Sequence, residues 1–312
     1  MQDVIVVGAG SAGCVAASRA SEDPNRTVLL LEAGPDYPDL AQTPGDLVDG
    51  HNNSYRAHDW GLTYQPTRGR EVSFPRGRVV GGSSAVNTTI ALRGMHEDYD
   101  EWADAGNPEW AWDRVLPAFR RLERDLDFGD ADHHGDAGPI TIRRFPPEEL
   151  LPQHQAFLES ARDLGYPDCP DANDPLSWGA GPQPLNKLGR TRISCAVGYL
   201  APARIRPNLT IRADTLVRRL LIRNGRCHGV EVAAADGAVE RLEARLVVLC
   251  AGAIMSPPCC YAPASVRGAG SRISASRSFG TCPGWGPTCR ITRPCPSSAR
   301  SGTRPSSITM RR

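Results

Sequence analysis

The stretch DVIVVGAGSAG, from Asp3 to Gly13, decides the fold of this 312-residue chain. Val4 to Val7 predict a short strand that is apolar on both faces, as strands of buried parallel sheets are. The strand runs directly into a glycine-rich turn, and a helix is predicted from Cys14 to Ala20. This order of elements presents the free N–H groups of a helix N-terminus to an anion.

The three glycines of the turn have separate roles in this prediction. Gly8 permits the tight turn, Gly10 lets a pyrophosphate approach the backbone, and Gly13 lets helix and strand pack closely. A second predicted strand, Thr27 to Leu31, ends at Glu32, where a carboxylate is placed to meet the ribose hydroxyls of a dinucleotide. A dinucleotide site is therefore predicted in preference to a purely structural glycine turn. FAD and NAD both stay open, because both bind at such a turn.

Composition limits the class of protein. At 40 % hydrophobic residues the chain suits a globular protein of one or two domains. Its longest apolar runs are far shorter than the roughly 20 residues of a membrane span, and no signal sequence opens it. A cytoplasmic protein without a membrane span is therefore predicted. The cysteines of the first 256 residues show neither disulfide nor zinc-binding spacing.

A second informative stretch, PRGRVVGGSSAVN, ends at Asn87. Gly81 and Gly82 remove side-chain bulk from the backbone. Ser83 and Asn87 offer hydrogen-bond donors beside them. Such a segment suits backbone that lies against a flat or anionic ligand, although a plain close-packed glycine loop accounts for the same residues equally well.

The run GRVVGGSSAVN, from Gly77 to Asn87, resembles the first signature of the glucose-methanol-choline (GMC) flavin oxidoreductases position by position. LEAG at 31–34 and RTRISCAVGYLAPA at 190–203 are similar to the choline-dehydrogenase-like members of that family. The resemblance covers about residues 1–257. It implies an α/β fold with a Rossmann-like FAD-binding domain (1–138 and 196–257) and a second, mainly antiparallel-sheet substrate-binding domain, incomplete here (139–195).

The resemblance also implies which residues hold FAD. Those implied at the ADP half are Gly8, Gly10, Ser11, Ala12, Gly13, Glu32 and Ala33, and those at the flavin end are Gly82, Ser83, Asn87, Thr88, Thr89 and Ile90. Val217, through its backbone at the adenine end, and Ala251 complete the implied set. Some relatives attach the flavin through a histidine just before the asparagine. Val86 occupies that position here, so non-covalent FAD is predicted.

The resemblance implies oxidation of an alcohol: a base removes the hydroxyl proton while hydride leaves the CH–OH carbon for flavin N5. An FAD-dependent alcohol dehydrogenase or oxidase follows, with a small-molecule alcohol as substrate and an electron acceptor that the sequence does not identify. The family's catalytic histidine lies late in a longer chain. None of the seven histidines here matches it, and most are expected to be solvent-exposed, so no catalytic residue and no metal ligand is assigned.

Two alternatives to an FAD-dependent alcohol oxidoreductase stay open. A non-catalytic FAD-binding remnant is the expected behaviour of this polypeptide, because the segment that supplies the base is absent. An NAD-linked dehydrogenase is disfavoured by the flavin-type sequence GGSSAVN. Oxidase and dehydrogenase activities are not distinguished.

The resemblance breaks off after about Pro257. The last 56 residues carry nine Arg and no Asp or Glu, whereas 27 basic and 35 acidic residues precede them. When shifted by one base, the codons of 258–267 can spell VLLRSGVGP, which resembles the expected continuation of the family's second signature. Residues 258–312 are therefore predicted to be an out-of-frame, disordered tail, and neither a nucleic-acid-binding arm nor a metal site.

Overall fold

The computed structural model of this chain describes residues 1–261. The strands are β1 (Gln2–Val7), β2 (Val28–Leu31), β3 (Thr63–Thr67), β4 (Arg70–Ser73), β5 (Glu123–Asp125), β6 (Ile140–Ile142), β7 (Lys187–Leu188), β8 (Thr191–Arg192), β9 (Leu209–Arg212), β10 (Leu216–Arg223), β11 (Arg226–Ala233) and β12 (Val239–Leu249). The α-helices are α1 (Ser11–Ala20), α2 (Gly45–Val48), α3 (His96–Asp104), α4 (Trp112–Leu122), α5 (Pro152–Asp163), α6 (Ala201–Ala203) and α7 (Gly252–Tyr261). The prediction of a disordered tail from residue 258 was wrong for 258–261, which form the end of α7, and its remainder lies outside the described residues.

The chain divides into two compact units. Of the described residues, the first contains 1–36, 54–83 and 203–261, and the second contains 37–53 and 84–202. By contacts, residues 84–138 thus group with 139–202, whereas the sequence grouped them with the chain's start. The assignment of one region to FAD and the other to substrate stays a prediction.

A six-stranded mixed sheet forms the centre of the first unit, in the order β10-β11-β12-β1-β2-β9. β12, β1, β2 and β9 are parallel, while β10, β11 and the first half of β12 form an antiparallel meander. Ile5 and Val7 of β1 are buried against Leu29 and Leu31 of β2. The apolar strand predicted at 4–7 is therefore confirmed as a buried strand of a parallel sheet, and with it the α/β class.

The meander is closed by a tight turn at Asn224 and Gly225, which join β10 to β11. Their φ angles are 51° and 73°, both in the left-handed region that a two-residue hairpin of this kind requires. In the sequence, the Asn-Gly pair between two alternating runs, 217–223 and 229–233, predicts a hairpin, and the antiparallel pairing of β10 with β11 confirms it.

The second unit combines helices with two short two-stranded sheets. β5 pairs with β6 in parallel, and β7 pairs with β8 in antiparallel fashion. The helical pattern of the sequence from Glu101 to about Asp125 predicts one helix, and the structure shows that this prediction is wrong. The chain breaks between α3 and α4, because Gly106 has a φ of 100° and Pro108 follows it.

Among residues 1–261, no helix is both long enough and apolar enough to cross a membrane.

Candidate functional site

The turn between β1 and α1 requires glycine at two positions for reasons internal to the protein. Gly8 has a φ of 91°, and a Cβ there would lie 2.8 Å from the carbonyl oxygen of Cys250. A Cβ on Gly13 would overlap the carbonyl oxygen of Gly8. Both predicted roles, the tight turn and the close packing of helix on strand, therefore have a structural basis.

Gly10 differs from these two glycines. Its φ is −76°, which any residue adopts, and the nearest atom to a Cβ built there is the Cα of Gly82 at 4.0 Å. Neither backbone conformation nor packing within the protein therefore calls for glycine at this position. Gly10 is also the N-cap of α1 and provides no side-chain cap, so the bare backbone leaves the helix N-terminus open to an anionic group.

Glu32, directly after β2, accepts hydrogen bonds from the backbone of the glycine turn and from its own loop. Its Oε2 accepts a hydrogen bond from the N–H of Ala9 at 2.9 Å, and its Oε1 accepts one from Gly34 at 2.9 Å. Burial raises the pKa of this carboxyl, against the opposing effect of the backbone N–H donors. Each carboxylate oxygen keeps a second lone pair that a ribose hydroxyl can use.

The second glycine stretch meets the first one backbone to backbone. Gly82 has a φ of 52°, and a Cβ there would lie 2.5 Å from the Cα of Gly10. The N–H of Gly81 donates to the carbonyl of Ala9 at 2.7 Å. Close packing thus explains the glycines of this stretch, while Ser83 beside them stays exposed.

The other predicted residues of the first unit lie around the same turn. Ser11 and Ala12 are exposed at the start of α1, and Ala251 follows β12 with its Cα 2.9 Å from the Cβ position of Gly8. Val217 is two residues past Thr215, whose N–H donates to the backbone carbonyl of Glu32 at 2.8 Å.

The predicted flavin-end segment Asn87–Ile90 belongs to the second unit. The Oδ1 of Asn87 accepts a hydrogen bond from the N–H of Thr89 at 3.0 Å. Thr89 is buried and has a φ of 63°, an outlier for a β-branched residue. Thr88 and Ile90 on either side are exposed, so the segment presents side chains and backbone to its surroundings.

A buried charge network, which the sequence did not predict, centres on His134. The ring Nδ1 lies 2.6 Å from Glu123 Oε1 and the Nε2 lies 2.8 Å from Asp171 Oδ2. Burial alone would lower the pKa of this histidine, but hydrogen bonds to Asp171 and Glu123 outweigh burial and raise it to about 9. The side chain is therefore an imidazolium at neutral pH. The expectation that most of the seven histidines are solvent-exposed was wrong, because only His51, His154 and His228 are exposed.

Two arginines complete this network. Arg144 pairs with Asp125 and Asp171, each at 2.6 Å, and Arg93 pairs with Glu123 at 2.5 Å. The three cations balance the three carboxylates Glu123, Asp125 and Asp171. Two groups of residues here, His133 with His134 and Asp171, and Glu123 with Asp125 and His134, each lie close enough together to ligate a metal ion. Their charges are already paired, however, and both ring nitrogens of His134 are engaged, so the geometry is accounted for without an ion.

Sequence reasoning missed His134 and Asp171 because their partners are distant in the chain. His134 lies in a polar, glycine-bearing loop, a context typical of solvent-exposed residues. Arg192, which is also fully buried, lay inside the RTRISCAVGYLAPA resemblance but had no role assigned to it. No local pattern distinguishes it from the exposed Arg190 two residues earlier.

Comparisons with known proteins agree with this geometry. The profile of a family described as GMC oxidoreductase matches residues 2–261. An uncharacterized GMC-type oxidoreductase of Rhodococcus erythropolis is 40 % identical over 261 residues, covering 82 % of this chain and 51 % of that protein. Mitochondrial choline dehydrogenase of Mus musculus is 40 % identical over 266 residues, covering 81 % of this chain and 44 % of that one.

Solved structures resemble the same region. The crystal structure of pyridoxine 4-oxidase from Mesorbium loti superimposes with a TM-score of 0.75 at 35 % identity, covering 82 % of this chain and 50 % of that one. The chain thus spans about half the length of the proteins it matches.

Proposed function

We propose, from the premise that this chain belongs to the GMC oxidoreductase family, that it binds FAD and represents an oxidoreductase acting on the CH–OH group of a small alcohol. The relatives that it resembles include a choline dehydrogenase and a pyridoxine 4-oxidase. An alcohol of that size is therefore the proposed class of substrate.

The observation that best supports FAD binding is that neither backbone conformation nor packing requires a glycine at position 10. A Cβ there would meet no protein atom closer than the Cα of Gly82 at 4.0 Å, yet it would occupy space in front of the N-terminus of α1. A pyrophosphate approaching the backbone at this point explains the choice of glycine. The residues present therefore fit the ADP half of FAD.

In this proposal the first turn of α1 donates backbone N–H groups to the pyrophosphate, and Glu32 accepts from the ribose hydroxyls. The exposed residues of Asn87–Ile90 contact the flavin ring. The chemistry that bound FAD supplies is acceptance of hydride from the alcohol carbon.

We also propose that the cofactor is dissociable. Val86, at the position where some relatives carry a linking histidine, is a buried aliphatic residue and cannot form that bond. Acid precipitation of the holoprotein should therefore release FAD into the supernatant. Flavin that stays with the precipitated protein contradicts this part of the proposal.

The decisive experiment is purification of the full chain followed by titration with FAD and, separately, with NAD. Uptake of FAD with quenching of its fluorescence supports the proposal, and capture of NAD by folded protein that takes up no FAD overturns it. Anaerobic addition of choline or pyridoxine to the holoprotein then tests turnover, seen as bleaching of the flavin. FAD uptake without bleaching by any alcohol would favour the non-catalytic alternative.

A separate proposal concerns the residues after about Pro257. The shifted-frame match of 258–267 to the family's second signature suggests an insertion or deletion of one base near that codon. Sequencing of the coding DNA should show it, and restoring the frame should extend the similarity. An intact reading frame through this region would rule the idea out.

A further inference from the structure

Arg192 is among the most buried large side chains of the described residues, with 1 % of its surface exposed. Its two terminal nitrogens donate to six backbone carbonyls, those of Asp46, Leu47, Asp49, Asn52, Ala85 and Asn87. The shortest of these bonds is that to Asn52, at 2.5 Å, and those to Leu47 and Ala85 measure 2.7 Å each. One side chain therefore ties together two loops that are separated by more than thirty residues.

One of these loops leads directly into the proposed flavin-end segment. The carbonyl of Asn87 accepts from Arg192 at 2.9 Å, while the side chain of Asn87 accepts from the N–H of Thr89. The carbonyl of Thr89 accepts from the N–H of Asn186 at 2.8 Å. The backbone on both sides of Thr89 is thus fixed by hydrogen bonds.

The other loop contacts Thr89 from the opposite direction. A Cβ on Gly50 would lie 3.2 Å from the Thr89 methyl group, so Gly50 leaves the space that this methyl uses. The φ of 63° at Thr89 strains the backbone, and such strain persists only where surrounding contacts over-determine the conformation. Arg192 supplies the largest set of those contacts, because it holds both Asn87 and the 46–52 loop.

We infer that Arg192 is a positioning residue, which holds Asn87–Ile90 in its strained conformation as a rigid support for the flavin ring of FAD. The inference rests on the proposed function, because it assigns a role at the flavin end of the same cofactor. Lysine cannot replace arginine here, since an ammonium group has three donors and lacks the planar fork that reaches six carbonyls.

The test compares Arg192→Lys with Arg190→Lys, a matched control. Arg190 lies two residues away and has a side chain that is 69 % exposed, paired with Asp49. Each variant is titrated with FAD and with ADP, and the visible circular dichroism of the bound flavin is recorded. Because ADP lacks the flavin, its affinity reports only on the glycine turn.

We expect Arg192→Lys to weaken FAD binding about tenfold or more, the equivalent of about 1.4 kcal/mol, while ADP affinity stays within about twofold. The dichroism of bound flavin should change in this variant alone, and Arg190→Lys should match the wild type. An equal loss of FAD and ADP affinity would show that Arg192 only supports the fold. Unchanged FAD affinity and dichroism would overturn the inference directly.

Thr89→Gly provides a second test if Arg192→Lys fails to fold. Glycine adopts a φ of 63° without strain, so the variant should be as stable as the wild type or more so. The hydrogen bonds from Arg192 to Asn87 and from Asn186 to the carbonyl of residue 89 remain, so FAD affinity and dichroism should stay within about twofold of the wild type. A loss of FAD affinity with unchanged ADP affinity in Thr89→Gly would assign the effect to the threonine side chain and contradict the inference. Folded wild-type protein that takes up no FAD would instead remove the proposed function, and the positioning role with it.

Discussion

The glycine turn Gly8–Gly13 and the segment Asn87–Ile90 hold unusual backbone conformations in opposite ways. At the turn, the left-handed conformation is taken by Gly8, which adopts it without strain. In the segment it is taken by Thr89, a β-branched residue that resists it. The turn is therefore relaxed in its own sequence, whereas the segment depends on contacts from elsewhere.

Those contacts come from distant parts of the chain. Arg192 lies 105 residues after Asn87, and the Thr89 hydroxyl is 3.5 Å from the carbonyl of Gly50, 39 residues earlier. Beyond Ile90 the chain is held again, because Asn173 donates to the carbonyl of Ala91 at 3.0 Å. A local sequence motif thus specifies the conformation of the glycine turn, whereas contacts from distant parts of the chain fix the conformation of Asn87–Ile90.

The largest expected effect is that of Gly13→Ala, because the glycine turn has no space for a side chain at this position. The new methyl group would overlap the Gly8 carbonyl oxygen, and neither backbone can move without separating α1 from β1. We expect a loss of more than about 4 kcal/mol in the free energy of unfolding, in the exceptional range for one substitution. Urea unfolding followed by circular dichroism measures it. A stable Gly13→Ala protein would mean that the turn adapts.

The next largest effect is expected from His134→Gln, which removes the ion pairs of His134 with Glu123 and Asp171. Asp171 accepts from the N–H of Asn173, the residue that holds Ala91. Loss of the imidazolium leaves Glu123 and Asp171 under-compensated, and we expect a loss of about 3–5 kcal/mol in stability. His133→Gln is the control. Its half-exposed ring contacts Asp171 at 3.2 Å and should contribute less than about 1 kcal/mol.

The same substitution should also change how the free energy of unfolding depends on pH. The pKa of His134 is raised above its ordinary value of 6.5 to about 9, so its contribution is fully present below pH 6.5 and is lost as pH rises through 9. Unfolding measured across that window should show a falling stability in the wild type and a smaller fall in His134→Gln. Parallel curves for the two proteins would exclude the imidazolium from the network.

Gly10→Ala should differ from Gly13→Ala, because it should weaken FAD binding without destabilising the protein. The methyl group has room in the protein and a permitted φ, so stability should change by less than about 1 kcal/mol. FAD affinity should nevertheless fall about a hundredfold, or about 2.7 kcal/mol, because the methyl group occupies the approach of the pyrophosphate. Titration with FAD measures the effect, with Gly13→Ala as the variant that loses both properties. Retained FAD affinity would show that the pyrophosphate does not bind at Gly10.

Glu32→Gln should have the smallest effect on FAD binding. The amide keeps one acceptor, but its NH2 group faces the N–H of Ala9 or Gly34, so the free protein should lose about 1–3 kcal/mol of stability. FAD should bind about tenfold more weakly for lack of a charged acceptor. Because burial raises the pKa of Glu32, binding to the wild type should weaken with falling pH before the ordinary value of 4.5 is reached. Titrations at several pH values check this, and Glu32→Gln should show no such dependence. An identical pH profile in the variant would assign the dependence to another group.

The sequence by itself determined the glycine turn, the strands on either side of it and the Asn-Gly hairpin. These features follow from the conformational freedom of glycine and from apolar periodicity, both of which act over a few neighbouring residues. Only the tertiary structure decided that Arg192 is buried while Arg190 is exposed, that His134 is an imidazolium, and that Thr89 is strained. Burial, pKa and tolerated strain depend on partners brought together by folding, and their spacing in the chain leaves no local pattern.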